Sequence, residues 1–355
     1  MKKKIIIVGE YMWPWYQTAL KNAFEELGHI THSFKWFDFF WIRKSNNQLK
    51  IKSLYHKIQY RLLIGPTILR INYLLFKKIK KVKPDIIFLY SSTIILNYTL
   101  KRIKSLYPKI KICQYTNDSP SSSNSTFGLW RRFRANIRYC DYHFIFREND
   151  REYFKLNGAE SINLLMPYYI PDKDYFIQLK EIPVKFHCDI VFAGHYEDDG
   201  RIEILEELIN KGYNLNLFGG GWNKALINRK SSPLRSLMPI YPVTGLDYNY
   251  AICGSKIALC FLSKINNDSY TRRNFEIPAM RKVLLSEYSD ELNKIFVENK
   301  EMVFFRNKSE LFEKIDVLLK QKLQREEIEL NLMNSGLARH SVVERAKHII
   351  DVIYR

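Results

Sequence analysis

Cys188-Asp189-Ile190-Val191-Phe192-Ala193-Gly194 reads as a buried strand, a short apolar run closed by a glycine. Residues 202–210 follow with helical periodicity, Gly212 is placed to cap that helix, and residues 213–218 form the next apolar run. The chain opens in the same way. Lys4-Ile5-Ile6-Ile7-Val8-Gly9 is a strand ending in glycine, residues 18–27 are an amphipathic helix, Gly28 caps it, and residues 29–34 are a second strand. The two glycines of each unit lie 19 and 18 positions apart, and LKNAFEELGHITHSF matches IEILEELINKGYNLNLF element for element. A strand–helix–strand opening repeated half a chain later predicts an α/β protein of two tandem Rossmann-like, doubly wound parallel-sheet domains.

Further strands are expected at residues 85–90, 111–115 and 142–146. Residues 50–83 are basic and helical in pattern, with a break at Gly65-Pro66. The 355 residues suit two domains at about 150 residues each. The first is expected at 1–170 and the second at 185–337, joined by a linker in 166–185 where Pro167, Pro171 and Pro183 cluster.

The charge is lopsided. Residues 1–150 hold 27 Lys and Arg against 9 Asp and Glu, whereas residues 151–355 hold 29 against 28. A basic first half implies an anionic partner. The five cysteines are isolated, without CxxC or Cys/His clusters, which excludes a disulfide scaffold and a structural zinc site and suits a reducing compartment. The apolar run after Met1 stops at Gly9-Glu10, too short for a signal peptide, and no stretch reaches the roughly 20 residues of a membrane span. A cytoplasmic protein is expected, with a peripheral place on the inner membrane face open to it.

Several enzyme classes fall away. Only Gly9 follows the first strand, so the three-glycine dinucleotide turn is missing, as are GxxxxGK[ST] and GxSxG. No HxH or HxxxH pair suggests a metal site. Asp172-Lys173-Asp174 and Asp198-Asp199 read as solvated acids, since neither follows an apolar strand that would aim it.

Residues 256–287, KIALCFLSKINNDSYTRRNFEIPAMRKVLLSE, carry the functional signal. The segment resembles the donor-binding segment of GT-B glycosyltransferases of the group 1 superfamily, and within it the spore-coat CgeB-like group. The resemblance rests on Asp268, Arg273 and Phe275-Glu276-Ile277-Pro278-Ala279. Met280-Arg281-Lys282 stands where relatives carry Cys-Gly-Gly. Tyr142-His143-Phe144-Ile145-Phe146, Gly158-Ala159 with Leu165-Met166-Pro167, Phe192-Ala193-Gly194 leading to Arg201, and Phe218-Gly219-Gly220-Gly221-Trp222 extend it.

The resemblance implies a GT-B fold with a cleft between the domains and a final helix, 338–355, packed back on the first. It implies a nucleotide-diphosphate sugar as donor substrate, with no separate cofactor, held by Gly194, His195, Arg201, Gly219, Asp268, Arg273 and Glu276. Glu276 would take the ribose hydroxyls. Arg201 and Arg273 would take the diphosphate without a metal, as cations must where no metal neutralises a departing phosphate.

The acceptor, a glycan, lipid-linked or protein group, would sit on the first domain. There Gln114-Tyr115-Thr116-Asn117-Asp118 ends a strand and enters a Ser-rich loop at 119–126. Asp118 is the candidate catalytic residue, as base or acceptor-orienting group, with an Asx-turn cap as its other reading. Residues 35–83 interleave aromatics (Trp36, Phe37, Phe39, Phe40, Trp41, Tyr55, Tyr60, Tyr73, Phe76) with Lys and Arg, which suits an anionic membrane surface. Two other functions compete: a nucleotide-sugar epimerase of the same fold, and a basic nucleic-acid-binding protein. No nucleic-acid motif supports the latter, so no nucleic-acid partner is expected.

Overall fold

Strand β1 (Lys4–Gly9) buries Ile5, Ile6, Ile7 and Val8 completely. It pairs in parallel on both sides, Ile5 standing opposite Thr31 and Ile86, so its apolar run has no solvent face. In the computed structural model, which describes residues 1–43, 49–121 and 127–355, β1 belongs to a unit formed by Met1–Met166 and Val342–Arg355. The other strands of this unit are β2 (Ile30–Lys35), the short hairpin β3 (Trp41–Arg43) and β4 (Leu49–Ile51), β5 (Ile86–Tyr90), β6 (Lys111–Thr116), β7 (Tyr142–Ile145) and β8 (Ile162–Leu164). Five of them join β1 in one sheet of order β2-β1-β5-β6-β7-β8, parallel throughout. Its helices are α1 (Ala19–Glu26), α2 (Leu54–Leu62), α3 (Pro66–Val82), α4 (Asn97–Leu106), α5 (Phe127–Asn136) and α6 (Arg151–Leu156).

The second unit, Pro167–Ser341, repeats the plan. Its strands are β9 (Cys188–Ala193), β10 (Leu215–Phe218), β11 (Ser255–Cys260), β12 (Leu284–Glu287) and β13 (Val303–Phe305), in the order β10-β9-β11-β12-β13 and again parallel. Its helices are α7 (Arg201–Asn210), α8 (Trp222–Leu226), α9 (Leu246–Cys253), α10 (Arg273–Ala279), α11 (Asp290–Ile295), α12 (Lys308–Lys320) and α13 (Lys322–Asn334). In both sheets the chain builds outward to one side of the first strand and then returns to its other side. The order therefore reverses beside β1 and beside β9, where open α/β sheets bind ligands at the carboxyl ends of the strands.

The last helix, α14 (Val342–Tyr354), follows the second unit in sequence and packs on the first. Its buried stripe Val342, Ala346, Ile349 and Ile353 meets α1. Tyr142 donates to the Ile353 carbonyl at 3.2 Å, and Arg345 to that of Met166 at 3.1 Å.

Two expectations change. The proline-rich stretch 167–185 is no free linker: it belongs to the second unit and buries Tyr168, Ile170, Ile177 and Ile182. Of the aromatics read as a membrane face, Trp36, Phe37 and Phe40 are core residues, packed with Ile68, Ile71 and Leu75 of α3. Among the described residues no helix is long and apolar enough to cross a membrane.

Candidate functional site

The turn after β9 is shaped by two backbones in close approach. Gly219 adopts φ +144°, and a Cβ placed on it would lie 1.9 Å from the Gly194 carbonyl oxygen. That oxygen accepts the Trp222 indole N–H at 2.8 Å. A Cβ on Gly194 would lie 2.1 Å from Arg273 Nη1. Glycine at 219 lets the two backbones close on each other, and glycine at 194 leaves the guanidinium room to cross the end of β9. Gly219, Gly220 and Gly221 thus line the turn against His195 and Tyr196, and Tyr196 N–H donates to the Gly220 carbonyl at 2.9 Å.

Arg273 Nη1 donates to the Ala193 carbonyl at 3.1 Å, and the guanidinium lies over the Phe192 ring. Its Nη2 makes no hydrogen bond among the described residues. Burial alone would lower its pKa, but the acidic groups around it, Glu276 and Asp268 among them, more than offset that and keep it charged. His195 is held in its neutral form. Loss of solvent lowers its pKa first, and the Arg273 charge lowers it further.

Glu276 sits one turn beyond Arg273 on α10 and is buried, at 5% exposure. One carboxylate oxygen accepts the Tyr248 hydroxyl. The other, Oε2, is ion-paired with Arg272 Nη1 at 3.0 Å and accepts no hydrogen bond among the described residues. Burial raises the Glu276 pKa and the Arg272 charge opposes it. Tyr248 is driven the same way by burial and by Glu276, so its hydroxyl stays protonated and donates. Arg272 also bonds Asp174 at 2.7 Å, and Asp174 accepts the Ile170 N–H. Asp174, expected among solvated acids, is therefore buried inside this network, a correction that only the fold supplies. Asp268 closes its loop through its backbone N–H to the Ser263 carbonyl at 2.9 Å. Lys282, one of the cations replacing the glycine pair, turns to Glu329 at 2.6 Å.

Arg201, expected to take the diphosphate, is engaged within the protein. Its guanidinium is almost wholly buried. It is bidentate to Asp199, at 2.8 and 2.6 Å, and donates to the His195 carbonyl at 2.7 Å. It clamps the loop that carries His195, and its charge is already met by Asp199 and Glu197. Asp199 is correspondingly an ion-pair partner and not a solvated acid.

In the first unit, Asp118 follows β6 on a loop anchored by Ser119 and Ser121, whose hydroxyls reach Asp150 at 2.6 and 3.2 Å. Residues 122–126 of the Ser-rich loop lie outside the described residues. The Asp118 backbone N–H donates to the Thr116 hydroxyl oxygen at 3.2 Å, while its carboxylate accepts no hydrogen bond among the described residues. The Asx-turn reading therefore has no bond to rest on. Asp118 is exposed. The lost solvent raises its pKa, with Arg147 acting the other way.

Glu10 was missed by the sequence reading. It is the first residue past β1, half-buried, with its pKa raised to about 7 by burial and then by the Asp118 charge. A signal for it existed: a carboxylate directly after an apolar strand-Gly element stands at the carboxyl end of the sheet. For Tyr248 and Asp174 there was none.

Comparisons with known proteins agree with this architecture. Residues 201–351 match the family model described as Glycosyl transferase-like. Sucrose-phosphate synthase from Thermosynechococcus elongatus superposes with a TM-score of 0.67 at 11% identity, covering 99% of this chain and 98% of that one. HepE of Anabaena in complex with UDP-glucose gives 0.66 at 10%, covering 99% of each chain. A putative UDP-N-acetylglucosamine 2-epimerase from Listeria monocytogenes gives 0.57 at 14%, covering 99% and 96%. None of the curated proteins matches significantly. At these identities the likeness is one of fold: the chain has the two-domain α/β architecture of GT-B proteins, and its second unit carries most of the glycosyltransferase-like segment.

Proposed function

We propose that this protein is a glycosyltransferase that moves a sugar from a nucleotide-diphosphate sugar to a glycan, lipid-linked or protein acceptor, without a metal ion, in the assembly of a cell-surface or envelope glycan. The observation that carries this is the pairing of Arg273 with Glu276 at the strand-order reversal of the second unit. Among the described residues Arg273 Nη2 makes no hydrogen bond, beside a turn of glycines, and Glu276 Oε2, ion-paired with Arg272, accepts none. A diphosphate matches the first group and a ribose hydroxyl the second. The matched family segment and the UDP-glucose bound to HepE support the same substrate class. The spacing of Asp268, Arg273 and residues 275–279 supports a place in the CgeB-like group.

In this mechanism Arg273 stabilises the charge that develops on the leaving nucleoside diphosphate. Neutral His195 supplies a hydrogen-bonding group beside it without adding charge. Arg201 acts through the loop it clamps. Asp118, on the first unit, takes the acceptor hydroxyl's proton or orients that hydroxyl.

Calorimetric titration with UDP-, GDP- and dTDP-sugars tests the donor site. Arg273→Ala and Glu276→Ala are each expected to weaken binding by about 10- to 100-fold, the loss of one charge-assisted hydrogen bond. EDTA is expected to change neither binding nor turnover. Unchanged isotherms in both variants refute the donor site, and loss of turnover on chelation refutes metal independence. Interconversion of the nucleotide sugar with no acceptor present identifies an epimerase instead.

A further inference from the structure

From residue 39 to residue 84 the chain has no Asp or Glu and twelve Lys or Arg. This stretch contains α2 and α3, and α2 is built inside out for a soluble surface helix. Its inner face is polar and aromatic: Gln59 is buried, with His56 and Tyr60 half-buried. Its outer face carries Leu54, Ile58 and Leu62 at i, i+4 and i+8, with Tyr55 beside them. All four are exposed, Leu54 at 71%. Lys57 and Arg61 form the adjoining row of the same helix, also exposed. The outer side of α3 continues the pattern with Leu69 and Tyr73, followed by Lys77, all exposed. Arg131 of α5 brings a further cation to the end of α2, donating to the Leu62 carbonyl at 2.7 Å.

Elsewhere in the first unit, exposed large apolar side chains are scattered among the described residues. This cluster within twenty residues, in a stretch of sequence without an acid, marks an interaction face.

The chemistry selects the occupant. A second copy of the chain would set one acid-free cationic face against another. A nucleic acid would meet the cations, but Leu54, Ile58 and Leu62 gain nothing from polyphosphate. An anionic bilayer meets both needs, with aliphatic side chains in the acyl boundary and Lys and Arg at the phosphates. We infer that the α2–α3 hairpin is a docking face for the surface of a membrane rich in anionic phospholipid. The inference is independent of the donor-site reading, since the face and the site lie on different units.

Sedimentation of the full-length chain with vesicles tests it. The vesicles are equimolar phosphatidylglycerol and phosphatidylcholine, or phosphatidylcholine alone, with no nucleotide sugar present. At about 50 mM salt the protein is expected to pellet with the anionic vesicles, with a partition coefficient about tenfold lower at about 500 mM salt or on the neutral vesicles. The double variant Ile58→Asn, Leu62→Asn is expected to lose about tenfold in partition, and Lys57→Gln, Arg61→Gln a similar factor on anionic vesicles only. All four positions are exposed, so the fold survives both changes, as an unaltered melting temperature would register. Retention in the supernatant with anionic vesicles at low salt overturns the inference. So does unchanged partition in both variants. Tight binding of a duplex oligonucleotide without vesicle binding overturns it in favour of nucleic acid, and dimerisation abolished by Ile58→Asn, Leu62→Asn in favour of a self-interface.

Discussion

The two sheets reverse their strand order in the same way, and the ends of their central strands carry opposite chemistry. Beside β9 the turn is stripped to glycine and crossed by the Arg273 guanidinium, with Arg272 and Glu276 behind it. Beside β1 and β6 stand two carboxylates, Glu10 and Asp118, each raised by its surroundings. One topology supplies the same strand-end position twice, and a few side chains make the two differ. In the proposed reaction the cationic end is the one suited to a diphosphate. The carboxylate end, whose pKa values are raised, is the one suited to take a proton from a hydroxyl in that reaction. This division runs against the overall charge, since the strongly basic half of the sequence carries the carboxylate pair. Many of its cations lie instead on the outer helices, Lys57 and Arg61 among them.

The division predicts separable defects. Asp118→Asn is expected to lower turnover by about 10²- to 10⁴-fold, the range of a general base, while donor affinity measured by titration stays within about twofold. A parallel fall in donor affinity would erase the distinction between the two ends.

The second effect is on stability. Arg272→Ala leaves Asp174 and Glu276 buried without their cation. Urea denaturation should show a loss of about 3–5 kcal/mol, the range for removing one partner of a buried ion pair. A loss below about 1 kcal/mol would mean that the cluster is hydrated and no more than a surface network.

The third effect separates the ends by pH. Glu10 has a folded pKa of about 7 against an ordinary 4.5, so between these values the native state binds more protons than the unfolded chain. Its contribution is fully favourable below pH 4.5 and is lost as pH rises through 7. Glu10→Gln removes that titration. The variant is expected to gain about 2–3 kcal/mol over the parent between pH 4.5 and pH 8. A flat difference across that window would show Glu10 to be ordinarily hydrated.

The parts of the fold visible in the sequence are those with local causes. The runs Lys4–Gly9 and Cys188–Ala193 announce central parallel strands because both of their faces are covered, and Gly28 and Gly212 end the helices that follow. The edge elements β8 and β13, three residues each, left too short a pattern to read. The β3–β4 hairpin was hidden within a segment whose aromatics suggested a surface. Trp36 and Phe40 have the composition of an interfacial belt, and only packing against α3 shows them to be core.

For the site, the sequence by itself determined the parts that a motif holds at fixed spacing: Gly194, the glycines at 219–221, and Arg273 with Glu276 on one helical turn. The tertiary structure decided what those groups can do. Arg201 and Arg273 look alike as cations near strand ends, yet Asp199 neutralises the first while the second keeps a donor unpaired. Asp174 and Arg272 are 98 positions apart, and Tyr248 is 28 from Glu276. No local pattern pairs such residues. The folding of parallel strands brings their ends together regardless of distance along the chain, and a buried charge is tolerated only where that convergence supplies its partner.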